Sequence, residues 1–239
     1  MTSWQVVRIA DIREESVSAR TLVLDAPDWP GHAAGQHVDV RLTAEDGYSA
    51  QRSYSLASDL SSVEITVQRV PRGELSTWLC DVAVVGDEFE IRGPVGGYFT
   101  WSPDGSQPVL LVAGGSGIVP LMAMVRARAA ARSRVPFRLV YSVRDPDTLV
   151  YGTELARRVR DDAGLDVTIV YTREAPEGWT RPPGRLDAAM LAAAGWPASF
   201  EPSNYVCGPT SFVETVADLL VDAGHDAARI RTERFGPTS

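Results

Sequence analysis

Several short stretches of this chain combine residue types that can hold a phosphorylated, ring-bearing ligand. The first is Arg52-Ser53-Tyr54-Ser55, inside a run that reads as a strand. Side chains alternate along a strand, so Arg52 and Tyr54 share one face and Ser53 and Ser55 the other. A guanidinium holds a phosphate through paired charge-assisted bonds. A tyrosine ring can cover a flat heteroaromatic system, and a serine hydroxyl can bond a ring nitrogen. An ordinary strand with a surface arginine and a core tyrosine looks the same. Downstream, Gln68-Arg69-Val70 closes another strand-like run, and Gly73-Glu74-Leu75-Ser76-Thr77 opens a short helix. Glycine permits close backbone approach, and Ser76 or Thr77 can donate to an anion at a helix N-terminus. A plain capped helix fits these residues equally well.

The second half carries a further set. Gly114-Gly115-Ser116-Gly117-Ile118-Val119-Pro120 lies between an apolar run and a helical one. Its glycines free the backbone, Pro120 suits a first helical turn, and the helix N-terminus faces a phosphate. The spacing is not G-x-G-x-x-G. Thr172-Arg173 ends the run LDVTIVY, Arg144 ends the run before it, and Arg185 follows a short loop. Arginines at such strand ends suit an extra phosphate on an adenosine ribose, although a single arginine is most often solvated surface. Cys207-Gly208-Pro209 closes SNYVCG with small residues that permit contact with a planar ligand. Glu233 and Phe235, two apart in RIRTERFG, project to one face.

These residues need two kinds of scaffold. From Trp4 to about Phe99 the runs WQVVRIADI, RTLVLDA, QHVDVRL, SYSLAS, VEITVQRV and DEFEIRG alternate as half-buried strands do. Turn signals in GHAAG, AEDGY and PRG separate them, with a short helix expected at Leu75–Asp81. The pattern predicts a small antiparallel β-barrel. SPDGSQ, residues 102–107, reads as a linker. Beyond it PVLLVAGG, FRLVYSV, LDVTIVY and SNYVCG alternate with helical stretches at PLMAMVRARAAAR, Gly152–Arg160, Asp187–Ala193 and Phe212–Ala223. Strands alternating with helices predict a doubly wound parallel sheet. The expected division is an antiparallel barrel over residues 1–103 followed by an α/β domain over 104–239.

Composition narrows the function classes. The chain has 239 residues, 44% of them hydrophobic, and a net charge of -8. An acidic surface disfavours nonspecific binding to nucleic acid or anionic lipid. Two cysteines, Cys80 and Cys207, are too few for a disulfide framework, a zinc site or a four-thiolate iron–sulfur cluster, so no metal is expected. No apolar run has the length of a membrane span and the start lacks an apolar signal core, which makes a cytoplasmic setting the default.

In their order along the chain, these motifs resemble the ferredoxin–NADP⁺ reductase superfamily over nearly the whole length. The resemblance implies a barrel that binds FAD and a second domain that binds NAD(P)H. By that resemblance Arg52 contacts the flavin pyrophosphate, Tyr54 stacks on the isoalloxazine and Ser55 bonds its N5. Gln68, Arg69, Val70, Gly73, Leu75, Ser76 and Thr77 look like a second group of flavin contacts. Gly115, Ser116 and Gly117 look like the nicotinamide-nucleotide loop. Cys207, with Gly208 and Pro209, and Glu233 match positions flanking the nicotinamide, which makes Ser55, Cys207 and Glu233 the candidate catalytic groups. Phe235 matches an aromatic near the flavin. Thr172-Arg173 is similar to the pair that receives the 2′-phosphate in plant-type members, so NADPH is the expected coenzyme. Departures exist: Ser116 stands where the family often has threonine, and Arg72-Gly73 where it often has two glycines. Gly236-Pro237-Thr238-Ser239 follow Phe235, whereas plant-type members end on a stacking aromatic. Without a fused iron–sulfur domain, electrons are expected to pass to a separate one-electron partner, ferredoxin-like or other. The alternatives are a flavin reductase that releases its product and a non-catalytic electron-transfer or sensor subunit.

Overall fold

A computed structural model describes residues 3–44, 46–59 and 62–236. Glu45 in the AEDGY turn and the tail beyond Gly236 lie outside the described residues. In the first half β1 (Trp4–Ser16), β2 (Ala19–Asp25), β3 (His37–Thr43), β4 (Ser49–Ser55), β5 (Val63–Gln68) and β6 (Glu88–Val95) form one antiparallel sheet in the order β4-β3-β6-β1-β2-β5. A bridge between Leu56 and Ile65 joins its two ends, closing the barrel. Alternating Val7 and Ile9, Leu22 and Leu24, and Val38 and Val40 are buried inside it. Each such side chain contributes about 1.5–3 kcal/mol by leaving water.

Two predicted elements are displaced. SYSLAS was expected to be the fourth strand, but β4 starts at Ser49 and stops at Ser55. β4 is the terminal strand of the order, exposed along most of its length, so its sequence is largely polar, with Tyr54 packed on the barrel core. The apolar Leu56 and Ala57 belong to the bend after it. The helix expected over Leu75–Asp81 is a single turn, α1 (Glu74–Thr77), running into a wider π-type turn over Trp78–Val82. The Ala83 amide donates to the Trp78 carbonyl at 2.9 Å and closes that turn.

In the second half β7 (Val109–Gly114), β8 (Phe137–Val143), β9 (Leu165–Tyr171), β10 (Ser203–Pro209) and β11 (Ile230–Phe235) form a parallel sheet in the order β11-β10-β7-β8-β9. Helices α2 (Ile118–Ala130), α3 (Gly152–Asp161), α4 (Ala188–Ala194) and α5 (Thr210–Asp222) connect the strands. The order reverses between β7 and β10, which is the crevice where doubly wound sheets take ligands. The stretch 102–107 carries no helix or strand.

Helix α2 is buried from Ile118 through Arg128. A helix apolar on all sides needs cover on all sides. Here it lies between the sheet and the barrel: its Leu121 and Met124 share one core cluster with Leu111 and Tyr141 of the sheet and with Ala19, Ala34 and Ala57 of the barrel. The two halves therefore share a core. Gly35 marks the closeness of the contact, since a Cβ there would stand 2.0 Å from the Phe99 carbonyl oxygen and 2.8 Å from Met124 Cε.

Candidate functional site

The glycine turn Gly114–Gly117 and the segment Cys207–Pro209 end the two strands that flank the switch point, β7 and β10. The glycines divide the work. Gly114 and Gly208 each lie against the Phe212 ring, where a Cβ would meet ring carbon at 2.7 Å. Gly117 lets the two loops touch. Gly115 has φ +55 and open space where a side chain would be, so its backbone faces a clear approach. Ser116 beside it is half-buried.

Glu233 on β11 is paired with Cys207 on β10. Burial pushes the Glu233 carboxyl up to about 7, and the side chain has no hydrogen-bond or ion-pair partner among the described residues. Burial and the nearby carboxylate push the Cys207 thiol well above its ordinary range, so it is a neutral packing group. Phe235, opposite Pro209, is exposed at the strand's end.

On the barrel, Arg52 and Tyr54 are paired with Val40 and Val38, whose side chains are buried in the barrel core. Tyr54 packs its ring on that core, while Arg52 is exposed and, among the described residues, bonds only the neighbouring Gln51 carbonyl, at 2.6 Å. Ser53 and Ser55 take the opposite face. The Ser53 hydroxyl donates to Asp39 at 2.6 Å, and Asp39 also accepts from Arg92 at 2.6 Å. The Ser55 hydroxyl has no partner among the described residues. The Ser76 hydroxyl closes its own loop, accepting from the Val70 amide at 3.1 Å and donating to the Gly73 carbonyl at 3.2 Å. Leu75 is in the barrel core. Gln68 Nε2 reaches the Ser18 hydroxyl at 3.5 Å, and Arg69 pairs with Asp81 at 3.2 Å. These side chains shape the turn, and Thr77 keeps a free hydroxyl among the described residues.

A cationic rim crowns the ends of β8 and β9. The strand expected to end at Thr172-Arg173 stops at Tyr171, and the chain bends at those two residues. The bend is held by the neighbouring strand end: the Thr172 amide donates to Val143, and the Arg173 amide to Arg144 at 2.9 Å. The Gly184 amide donates to the Tyr171 carbonyl at 2.9 Å, which brings Arg185 to the same rim. Arg144, Arg173 and Arg185 are exposed and make no ion pair among the described residues.

Two family models match in tandem. One, described as an oxidoreductase FAD-binding domain, covers residues 7–100, and the other, an oxidoreductase NAD-binding domain, covers 111–218. The chain belongs to the ferredoxin–NADP⁺ reductase superfamily. Among relatives of this superfamily, the glycine betaine monooxygenase reductase subunit of Pseudomonas aeruginosa is 33% identical over 239 residues, covering 98% of this chain and 64% of its own. The ferredoxin reductase component of 3-ketosteroid-9-alpha-monooxygenase from Rhodococcus rhodochrous is 29% identical, covering 98% of this chain and 66% of its own. The chain thus spans less than two thirds of the length of these relatives. The flavohem-like FAD/NAD-binding domain of nitric oxide dioxygenase from Vibrio cholerae shares the fold, with TM-score 0.87, 24% identity and coverage of 98% and 99%.

FAD and a nicotinamide coenzyme are the groups that reductases of this superfamily bind, and the residues fit them. Among the described residues, the clear approach at Gly115, the unpartnered Glu233 carboxyl, the open Ser55 hydroxyl and the exposed Arg52 guanidinium, which makes no ion pair, are space, acceptors and donors left for a ligand. Residues that carry no motif also stand nearby. Trp179 packs edge-on against Tyr171 at 5.1 Å beside the cationic rim. Arg126 and Tyr151 stand at the boundary between the halves. A lone arginine inside the apolar LMAMVRA was a legible signal, whereas Trp179 lies in a proline- and glycine-rich loop that gives none.

Proposed function

We propose that the protein is the reductase of an oxygenase system, drawing reducing equivalents from NADPH and delivering them to a separate one-electron redox protein. The observation that carries this reading is the half-buried Glu233 carboxyl, unpartnered among the described residues and paired in register with Cys207, whose carbonyl packs on the glycine turn that leaves a clear approach at Gly115. The relatives' names, reductase components of monooxygenases, support the class of partner. A cytoplasmic setting belongs to the same proposal and rests on two free, buried cysteines.

In this reading residues 1–103 hold FAD and 104–239 hold the coenzyme. FAD held there would supply the hydride acceptance and single-electron release, and the protein's part is placement. Arg52 takes the pyrophosphate. The Gly73–Thr77 turn and the backbone of Gln68, Arg69 and Val70 complete that contact, with Thr77 donating and Ser76 and Leu75 holding the turn. Tyr54 lies along the ring system, Ser55 bonds its N5, and Phe235 flanks it. Gly115, Ser116 and Gly117 receive the coenzyme, and Cys207, Gly208 and Pro209 wall the nicotinamide. Glu233, whose carboxyl titrates near neutrality, orients the nicotinamide amide or holds a proton beside it. Arg144, Thr172 and Arg173 receive the 2′-phosphate.

The test is the spectrum of the purified protein with acid release of its cofactor, followed by ferricyanide reduction with NADPH. A yellow peak on gel filtration that yields FAD, and turnover, are expected. FMN, or flavin that leaves the protein on gel filtration, overturns the assignment in favour of a flavin reductase. Absence of turnover overturns it in favour of a binding module.

A further inference from the structure

The candidate flavin strand β4 and the candidate nucleotide turn belong to different halves, and hydride transfer needs them in fixed register. Helix α2 begins directly after the turn, at Ile118. Arg126 lies two turns along it, about 12 Å from its start at 1.5 Å per residue. Its side chain is buried at 9% exposure. Nη1 donates to the Ala57 carbonyl at 2.8 Å and lies 3.4 Å from Glu64. Nε and Nη2 grip the two Glu154 oxygens at 3.2 and 2.6 Å, and the guanidinium lies 4.9 Å from the centre of the Tyr151 ring. Ala57 is two residues beyond Ser55. Among the described residues this is the one side-chain hydrogen bond that runs from α2 to the segment continuing β4.

We infer that Arg126 is a positioning residue, which sets the register between the flavin-binding strand and the nicotinamide turn. The inference rests on the proposed function above. The remaining contact between α2 and Ala57 is apolar and non-directional, so it resists separation but tolerates sliding. A guanidinium fork fixes direction and distance. A misplacement of about 1 Å between reacting atoms costs about 100-fold in rate. Both carboxylates that bond Arg126 also have a second arginine partner. Glu64 keeps Arg13 at 2.6 Å and Glu154 keeps Arg158 at 2.7 Å. The halves stay docked through the shared core, the Tyr151–Thr66 hydroxyl pair and the Tyr205 hydroxyl, which donates to Thr100 at 2.9 Å.

The experiment compares wild type, Arg126→Gln and Arg126→Lys by anaerobic rapid mixing with NADPH and with NADH. Flavin content and coenzyme Kd are expected to stay within twofold. The limiting rate of flavin reduction is expected to fall at least tenfold in Arg126→Gln and less in Arg126→Lys, which keeps one bond. Hydrogen exchange over residues 56–58, measured on the same preparations, is expected to quicken in Arg126→Gln independently of turnover. Limiting rates within twofold of wild type in both variants overturn the inference. Loss of flavin or of folding in both variants also overturns it, because Arg126 is then a stability group. A wild type that neither coenzyme reduces overturns the functional reading and this inference together.

Discussion

The carbonyl oxygen of Cys207 stands where a side chain on Gly117 would have to go: a Cβ there would lie 2.1 Å from it. The glycine turn after β7 and the end of β10 are therefore packed backbone to backbone, and the turn takes its shape from its neighbour.

This contact separates two glycines that look alike in sequence. Gly117→Ala forces the backbones apart and is expected to cost about 1–3 kcal/mol, as overpacking does, lowering Tm by about 2–12 °C. Gly115→Ala meets open space and pays only for a left-handed φ, about 1–2 kcal/mol. It places a methyl in the proposed coenzyme path, so coenzyme Kd should rise by more than its stability loss suggests. Scanning calorimetry and coenzyme titration of the two variants check the contrast. Equal losses of both kinds in both variants would show that Gly115 also serves packing.

Glu233 predicts a pH signature. Burial raises its carboxyl from an ordinary value of 4.5 to about 7. Between those values the folded state binds the extra proton, so stability falls as pH rises through that window and stays reduced above it. Glu233→Gln removes the loss. The variant's Tm is expected to exceed wild type at pH 8 and to approach it near pH 5. The rate of flavin reduction by coenzyme should lose an inflection near pH 7 while flavin content is retained. A variant with an unchanged inflection would assign the titration to another group.

Arg52 predicts the opposite separation. Among the described residues its guanidinium bonds only the adjacent Gln51 carbonyl, so the folded protein is expected to lose little without it. A charge-assisted bond to phosphate contributes about 1.5–3 kcal/mol, about one to two decades in Kd. Arg52→Ala should therefore release flavin during dilution while leaving the Tm of the flavin-free protein unchanged. Retained flavin in the variant would show that Arg52 points to solvent.

The parallel sheet was legible in sequence because its central strand, within PVLLVAGG, is a continuous apolar run buried throughout, and strand runs alternate with helical ones after it. The bounds of β4 are not legible because its pattern is set by exposure, and the apolar pair Leu56-Ala57 after it serves the barrel closure and the domain contact instead. The candidate site was legible as types and order. Which hydroxyls are free was not: Ser76 and Ser55 read alike, and only tertiary geometry shows Ser76 spent on its own loop. The partners of Arg126 were hidden for the same reason, since Ala57, Glu64 and Glu154 are distant from it in sequence.

The last prediction concerns coenzyme choice. An NAD-preferring site offers an acidic residue to the free ribose hydroxyls, whereas arginine accommodates a 2′-phosphate. Here the Arg173 amide is anchored to the Arg144 carbonyl, so the two guanidinium groups start from one point on the rim beyond β8 and β9. The Glu174 amide donates to the same carbonyl at 3.1 Å, and its carboxylate is exposed nearby. Charge at the rim is thus two arginines against one glutamate, with Arg185 following Gly184, which is held to Tyr171. Because none of the arginines is ion-paired among the described residues, a phosphate meets them without breaking an internal bond. One charge-assisted contact of about 1.5–3 kcal/mol gives about one to two decades of preference. Wild type should favour NADPH in kcat/KM by that margin. Arg173→Ala should lose most of it with little change for NADH, and Arg144→Ala should lose part. Raised salt should weaken the NADPH preference of the wild type, since the rim is exposed and screened. Equal or better use of NADH by the wild type would show that Glu174 governs the ribose and that the arginines serve only the surface.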